Sequence, residues 1–427
     1  MAARCAALLC TALLLAGCAA APARDAALAS PPRDGPARLP ADADAPVLLV
    51  SIDGFRADYL DRGLTPTLQA LADAGVRAEY MRPSYPSITF PNHYTLVTGL
   101  RPDRHGVVAN FMTDPTMPGV RFSMFDRATV GDARWWNDGR PLWTSVREHG
   151  GRAATMFWVG SEAPVHGAMP EYWRPFDIAV DSRQRVEQVL GWLALAPAER
   201  PHLITLYFDI VDTMGHLHGP DSPELDAALA EVDAALATLV AGIDAQGLGE
   251  RVNLVVVSDH GMAATGPDRE LYLDDLVDVS RLDFLWTGAY ASFDALPGGE
   301  DAARQLLGGH PHMTCTTRDR IPERYRFGTH RRVPAYFCEA EPGWQVTTRD
   351  AMQRKGHRLR GEHGYDNRHP DMRAPFIAHG PAFRRGAVIP AIDNVDVYPL
   401  LAHLLAIPPA DNDGDLAHTR DALVPGR

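Results

Sequence analysis

Apolar residues gather in short unbroken runs: "PVLLVSIDGF" (46–55), "AATMFW" (153–158), "HLITLYFD" (202–209), "VNLVVVSD" (252–259) and "APFIAHG" (374–380). A strand with one wet face alternates apolar and polar positions, whereas a strand covered on both faces reads as a continuous run. Helical patterns lie between the runs. "TPTLQALADAG" (65–75) has Thr65 as cap, Pro66 at the first helical position and Gly75 as stop. Two more helices are expected within 223–245 and 392–406. Strands that alternate with helices predict an α/β fold, a mostly parallel sheet with helices on both faces. Residues from about 265 to 345 break the rhythm with Gly, His, Arg and aromatics, and predict a smaller inserted subdomain. In such sheets ligands collect at the carboxyl ends of the strands. Asp53, Asp209 and Asp259 fall at three of those ends.

The amino terminus has a different character. "MAARCAALLCTALLLAGC" places Arg4 before a short apolar run and ends in Leu15-Ala16-Gly17-Cys18. The run is too short for a spanning helix and has the shape of a secretion signal. Its end resembles a bacterial lipobox, which makes Cys18 the expected lipidated residue and residues 1–18 the signal. Ala19 after that Cys fits an outer-membrane lipoprotein, the plain periplasm being the alternative. Residues 19–45, rich in Ala, Pro and Asp, read as a flexible tether, and 46–427 as the catalytic domain. Of the thiols beyond the signal, Cys315 and Cys338 remain, and an exported chain would pair them; two free buried thiols are the alternative. A net charge of −13 and a pI near 5.7 argue against binding a nucleic-acid duplex. They leave room for a small anionic substrate, since bound cations reverse the local field.

The stretch "PSITFPNHYTLVTG" (86–99) bears on that substrate. Pro91 suits a first helical turn, and the Thr89 hydroxyl is placed to cap that helix and, in the same geometry, to meet an anion at its amino terminus. "VDTMGHLHGP" carries Asp212 and His216 four residues apart, "SDHGM" joins Asp259 to His260, and "GEHGYDN" adds His363. With Asp53 these are three Asp and three His, a donor mix that suits zinc better than calcium. Each pair alone is weak, and is as readily a surface pair or a cap.

Taken together, Asp53-Gly54-Phe55-Arg56, "PSITFPNHYTLVTGLRPDRHGVVANFM", "DTMGHLHGP", "VSDHGM" and "GEHGYDN" resemble the nucleotide pyrophosphatase/phosphodiesterase family of the alkaline phosphatase superfamily. The likeness runs through about residues 46–405 in chain order. It implies an alkaline-phosphatase-like fold and two zinc ions per chain. One would be held by Asp212, His216 and His363, the other by Asp53, Asp259 and His260, with Thr89 coordinating as nucleophile. It further implies that Asn110 binds a phosphoryl oxygen, and that Phe90 stacks on a nucleobase with Tyr172 or Trp173 opposite. The implied reaction is hydrolysis of nucleotide diester or pyrophosphate bonds through a phosphothreonine intermediate, with release of 5′-nucleoside monophosphates. Where the family commonly has Glu-x-Pro-Asp, this chain has Asp209-Ile210-Val211-Asp212, so Asp209 is expected to support the site without being a ligand. Val159 stands where a Pro is frequent.

Three rivals follow from the same residues. A phosphomonoesterase needs cations around a terminal phosphate, for which Arg56 and Arg101 are candidates without positional support. A lysophospholipid or choline phosphodiesterase would use the same centre. A non-catalytic lipid-anchored binding protein would be expected to have lost ligands, and all six are present.

Overall fold

The structure is a computed structural model that describes residues 38–40 and 44–426; Cys18 and most of the 19–45 segment lie outside them. Thirteen strands matter here. They are β1 (Val47–Ile52), β2 (Val76–Ala78), β3 (Ala153–Met156), β4 (Tyr172–Arg174), β5 (Leu203–Phe208) and β6 (Asn253–Val257), then β7 (Leu282–Trp286), β8 (Tyr290–Ala295), β9 (Gly308–His310), β10 (Met313–Thr317), β11 (Tyr336–Ala340), β12 (Phe376–His379) and β13 (Ala387–Ile389). Eight of them form the central sheet in the order β13-β2-β12-β6-β1-β5-β3-β4. β1 runs parallel to β5 and β6, β3 is parallel to β5 and β4, and β12 is antiparallel to β6 and β2. The sheet is therefore mostly parallel, as the unbroken apolar runs predict.

The two faces of β1 show why its sequence does not alternate. Val47 and Leu49 enter one apolar cluster, and Leu48, Val50 and Ile52 the other. Six helices are named here: α1 (Pro66–Ala74), α2 (Thr89–Thr98), α3 (Ser182–Leu193), α4 (Ile210–His218), α5 (Pro223–Ala245) and α6 (Val397–Leu404). Tyr94, Leu96 and Val97 of α2 join Leu400 and Leu401 of α6 on the first face. Leu68 of α1, Val189 of α3 and Leu229 of α5 cover the second. α5 begins as a capped helix should: the Ser222 hydroxyl accepts the Leu225 N–H, Pro223 follows, and Glu224 and Asp226 lie in the first turn.

Between β6 and β12 the chain builds a second, antiparallel sheet in the order β7-β8-β11-β10-β9, over a third apolar cluster. Cys315 and Cys338 face each other across β10 and β11 and form a disulfide. Glu270–Tyr272 pairs with Gln345–Thr347 beside this sheet. No helix among the described residues is long and apolar enough to cross a membrane.

Candidate active site and metal centre

β1, β5 and β6 are neighbours in the sheet, so the residues just past their carboxyl ends meet. Asp53 follows β1, Asp209 follows β5, and Asp259 lies two residues past β6. α4 starts directly after Asp209 and puts Asp212 and His216 on one face, one turn apart. His363 follows the short strand Gly361–Glu362, which pairs with Ala263–Ala264 just beyond His260.

The six sequence-predicted ligands converge. Asp212 Oδ1 is 3.5 Å from His363 Nε2, and Asp212 Oδ2 is 3.5 Å from His216 Nε2. His260 Nε2 lies 2.9 Å from Asp259 Oδ2, 3.5 Å from Asp53 Oδ1 and 3.4 Å from Thr89 Oγ1. The His260 and His363 rings stack at 3.6 Å, which joins the two halves. Two groups close enough to share an ion are Asp212–His216–His363 and Asp53–Asp212–His260; a third is Asp53–His93–Asp259.

The polar inventory fits metal ions. Asp53 Oδ1, Asp212 Oδ1 and Asp259 Oδ2 are buried carboxylate oxygens without a hydrogen-bond partner. Buried charge left unpartnered is costly, and a divalent cation would relieve all three. Each of the three histidines directs Nδ1 at a backbone carbonyl: His216 at Gly361 (2.8 Å), His260 at Gly261 (2.9 Å) and His363 at Ser87 (2.9 Å). Those carbonyls place the proton on Nδ1 and leave the Nε2 lone pairs facing the carboxylates. Burial, then Asp259 and Asp212 nearby, push the Asp53 carboxyl well above its ordinary value. Burial would also raise Asp259, but His260 and His93 beside it hold it well below the usual range. Burial, then His260 and His216, keep His363 well below the ordinary histidine value, so its ring is neutral.

Thr89 is the first residue of α2, and the cap is Ile88. Its hydroxyl therefore does not cap the helix, which corrects the expectation that capping and reacting would be one geometry. It points at the ligand cluster instead. Asn110 Oδ1 accepts the Phe90 N–H at 3.0 Å, which turns the Asn110 amide group away from that bond. Asp209 is held by Arg185 Nη1 at 2.6 Å and belongs to none of the metal groups.

A cavity of about 760 Å³ opens over this cluster and includes Asp53, Thr89, Asn110, Asp212, His216 and His363 in its lining. Phe111, Phe125, Phe176, Ile178 and Trp286 form apolar walls, with Phe125 81% and Ile178 70% exposed. The predicted aromatics are placed differently. Phe90 packs edge-on against Phe122 and is not in the cavity lining. Tyr172 and Trp173 lie on the edge strand β4, with the Tyr172 hydroxyl bonded to the Glu199 carbonyl, and neither lines the cavity. Phe176, two residues past the strand in the same "PEYWRPFD", reaches the wall instead. Arg56 pairs with Asp58 and Arg101 with Asp393, both outside the cavity. Sequence reasoning also missed Tyr207, whose hydroxyl donates to Asp53 Oδ2 at 2.6 Å, and His93. Tyr207 lies in a predicted strand, and nothing in its spacing marks it.

The family model for type I phosphodiesterase / nucleotide pyrophosphatase matches residues 47–366. The chain belongs to that family. It is 35% identical over 380 residues to an uncharacterized pyrophosphatase/phosphodiesterase of Schizosaccharomyces pombe, covering 86% of this chain and 78% of that one. It is 34% identical over 389 residues to the bis(5′-adenosyl)-triphosphatase enpp4 of Mus musculus, covering 90% and 82%. Among solved structures, murine ectonucleotide pyrophosphatase / phosphodiesterase 5, an inactive threonine-to-alanine variant in complex with AMP, superposes with a TM-score of 0.84. It shares 32% identity, with 89% of this chain and all of that chain covered. This family member is thus a hydrolase of the alkaline-phosphatase-like fold, and its Asp/His clusters could hold a metal ion.

Proposed function

We propose that the protein cleaves nucleotide phosphodiester or pyrophosphate bonds and releases 5′-nucleoside monophosphates, with Thr89 as nucleophile. The observation that carries this reading is the Thr89 hydroxyl, freed from capping and set 3.4 Å from His260 Nε2 inside the carboxylate–imidazole cluster. Asp212, His216 and His363 would hold one zinc, and Asp53, Asp259, His260 and Thr89 the other. Bound there, two zinc ions would favour the Thr89 alkoxide and stabilise charge on attacking and leaving oxygens. Thr89 Oγ1 attacks the phosphorus, the leaving group departs on the opposite side, and water then cleaves the phosphothreonine ester. The Asn110 amide and the Thr89 N–H at the helix start are the chain's own donors for the phosphoryl oxygens. A diester keeps a second substituent that can lie on Phe111, Phe176 or Trp286, which a bare phosphate cannot use. AMP in the murine relative, in a threonine-to-alanine variant, supports both the nucleotide and the role of Thr89. The lipobox-like segment supports export and anchoring through Cys18.

The exposed Phe125 and Ile178 at the rim favour a second reading, a choline diester that carries an apolar tail, as in a lysophospholipid. The test is parallel hydrolysis of p-nitrophenyl thymidine monophosphate, p-nitrophenyl phosphate and p-nitrophenyl phosphorylcholine by the zinc-loaded protein. The nucleotide diester should lead in kcat/KM by at least about tenfold, a difference of about 1.4 kcal/mol in transition-state binding. A lead for phosphorylcholine would move the assignment to the second reading, and a lead for the monoester would overturn both.

A further inference from the structure

His93 is fully buried one turn after Thr89 on α2, and it stands beside Asp259 as closely as a ligand would. Its two nitrogens decide its role. Nδ1 is 3.0 Å from the Thr89 carbonyl oxygen and 3.3 Å from Asp259 Oδ2, and Nε2 is 2.9 Å from Ser51 Oγ. A carbonyl oxygen only accepts, so the proton sits on Nδ1 and the lone pair on Nε2. The Ser51 hydroxyl can donate to that lone pair. No lone pair of this ring then faces the cluster, in contrast to His216, His260 and His363, whose Nε2 atoms do. The ring is further wedged edge-on between Trp158 and Tyr207, and the Trp158 indole N–H donates to the His93 carbonyl.

We propose that His93 is a positioning residue and not a metal ligand. It ties the backbone of the nucleophile to Ser51 of β1, two residues before Asp53, and its Nδ1 lies 3.3 Å from the Asp259 carboxylate. Through that tie the Thr89 hydroxyl is held at its attack position while the ligand set stays intact. This inference rests on the reading of Thr89 as nucleophile.

The test compares His93→Ala, His93→Asn and Thr89→Ala in the full zinc-loaded chain, by zinc content per chain and by kcat and KM on p-nitrophenyl thymidine monophosphate. His93→Ala should keep the parent's zinc content and lose about 10–100-fold in kcat, the range seen when groups that orient ligands are removed, with KM within about twofold. His93→Asn restores an N–H near the Nδ1 position and should recover about tenfold of that loss, consistent with one hydrogen bond. Should His93→Ala fail to fold, Ser51→Ala removes only the donor to Nε2 and should lower kcat in the same sense with zinc unchanged. Loss of a zinc equivalent in either His93 variant would make the residue a ligand and overturn the proposal. An unchanged kcat, or an Asn variant no better than Ala, would reduce His93 to packing. Full activity in Thr89→Ala would instead remove the nucleophile reading, whatever the His93 variants do.

Discussion

Replacing Arg332 with Met should loosen the joint between the second sheet's subdomain and the loop that carries Asn110. The Arg332 and Asp114 side chains are fully buried, and Arg332 Nε donates to Asp114 Oδ2 at 2.6 Å. Its other N–H groups donate to the carbonyls of Gly106 (2.8 Å), Trp135 (2.8 Å) and Arg134 (2.9 Å). Breaking one side of a buried ion pair costs about 3–5 kcal/mol, much of it from the partner left uncompensated. Asp114 would keep Arg331 at 3.0 Å and the Thr116 N–H and hydroxyl at 2.9 and 2.7 Å, which argues for the lower end, about 3 kcal/mol. At about 2 °C per kcal/mol for a chain of this size, the midpoint of thermal unfolding should fall about 6 °C. The pH dependence has a sign. Burial would raise the Asp114 carboxyl, but bonds from Arg332 and Thr116 outweigh it and hold it well below the ordinary value of 3.8. A depressed carboxylate contributes fully above its unfolded value and loses that contribution as pH falls, so the gap between parent and variant should narrow below about pH 4. Urea unfolding of Arg332→Met, Asp114→Asn and the double variant at pH 7 and 3.5 measures both effects. A loss under about 0.5 kcal/mol, or strictly additive single changes, would refute the clasp.

Three further outcomes are expected. Burial, then His330 nearby, push the buried His105 down to about 3, so folding is opposed as pH falls below the unfolded value of about 6.5, by about 2 kcal/mol at pH 5. His105→Asn should remove that slope between pH 6.5 and 5 in urea titrations, and an unchanged slope would exclude the residue. Gly54 has φ +68°, and an added Cβ would meet Asp212 Cα at 2.9 Å, so Gly54→Ala should weaken zinc binding at least about tenfold in a chelator competition. Replacing Cys315 and Cys338 together, a pair separated by 23 residues, should cost about 3 kcal/mol of stability while zinc content stays unchanged. Free thiols in the unreduced protein would contradict that.

The parts of the fold legible in the sequence are those where one physical constraint dominates. β1, β5 and β6 are enclosed on both faces, so apolar residues dominate them, and their acidic ends could be located from the runs alone. The 223–245 helix is bounded by strong local chemistry, Ser222 and Pro223 at its start. The short strands β2, β4 and β13 carry three residues each and leave no periodic signal. The ligand cluster was legible only jointly, because the Asp and His motifs follow one another in the order of the family they resemble, while each pair alone is ambiguous. The cavity walls were not: whether Tyr172 or Phe176 faces the site depends on where β4 stops, and a strand's facing reverses with each residue. His93 was invisible for another reason, since its role rests on which atoms Thr89, Asp259 and Ser51 present to it across three elements.

The most direct test of the account is to catch the covalent intermediate. Zinc-loaded protein mixed with excess p-nitrophenyl thymidine monophosphate, quenched in acid within the first turnovers and digested, should yield a peptide containing Thr89 that carries the thymidylyl group. Thr89→Ala, with zinc content unchanged, should give neither the adduct nor a burst of p-nitrophenol. A Thr89 peptide that stays unmodified while product accumulates, together with near-parent turnover in Thr89→Ala, would show that water attacks the phosphorus directly and would contradict the role assigned to Thr89.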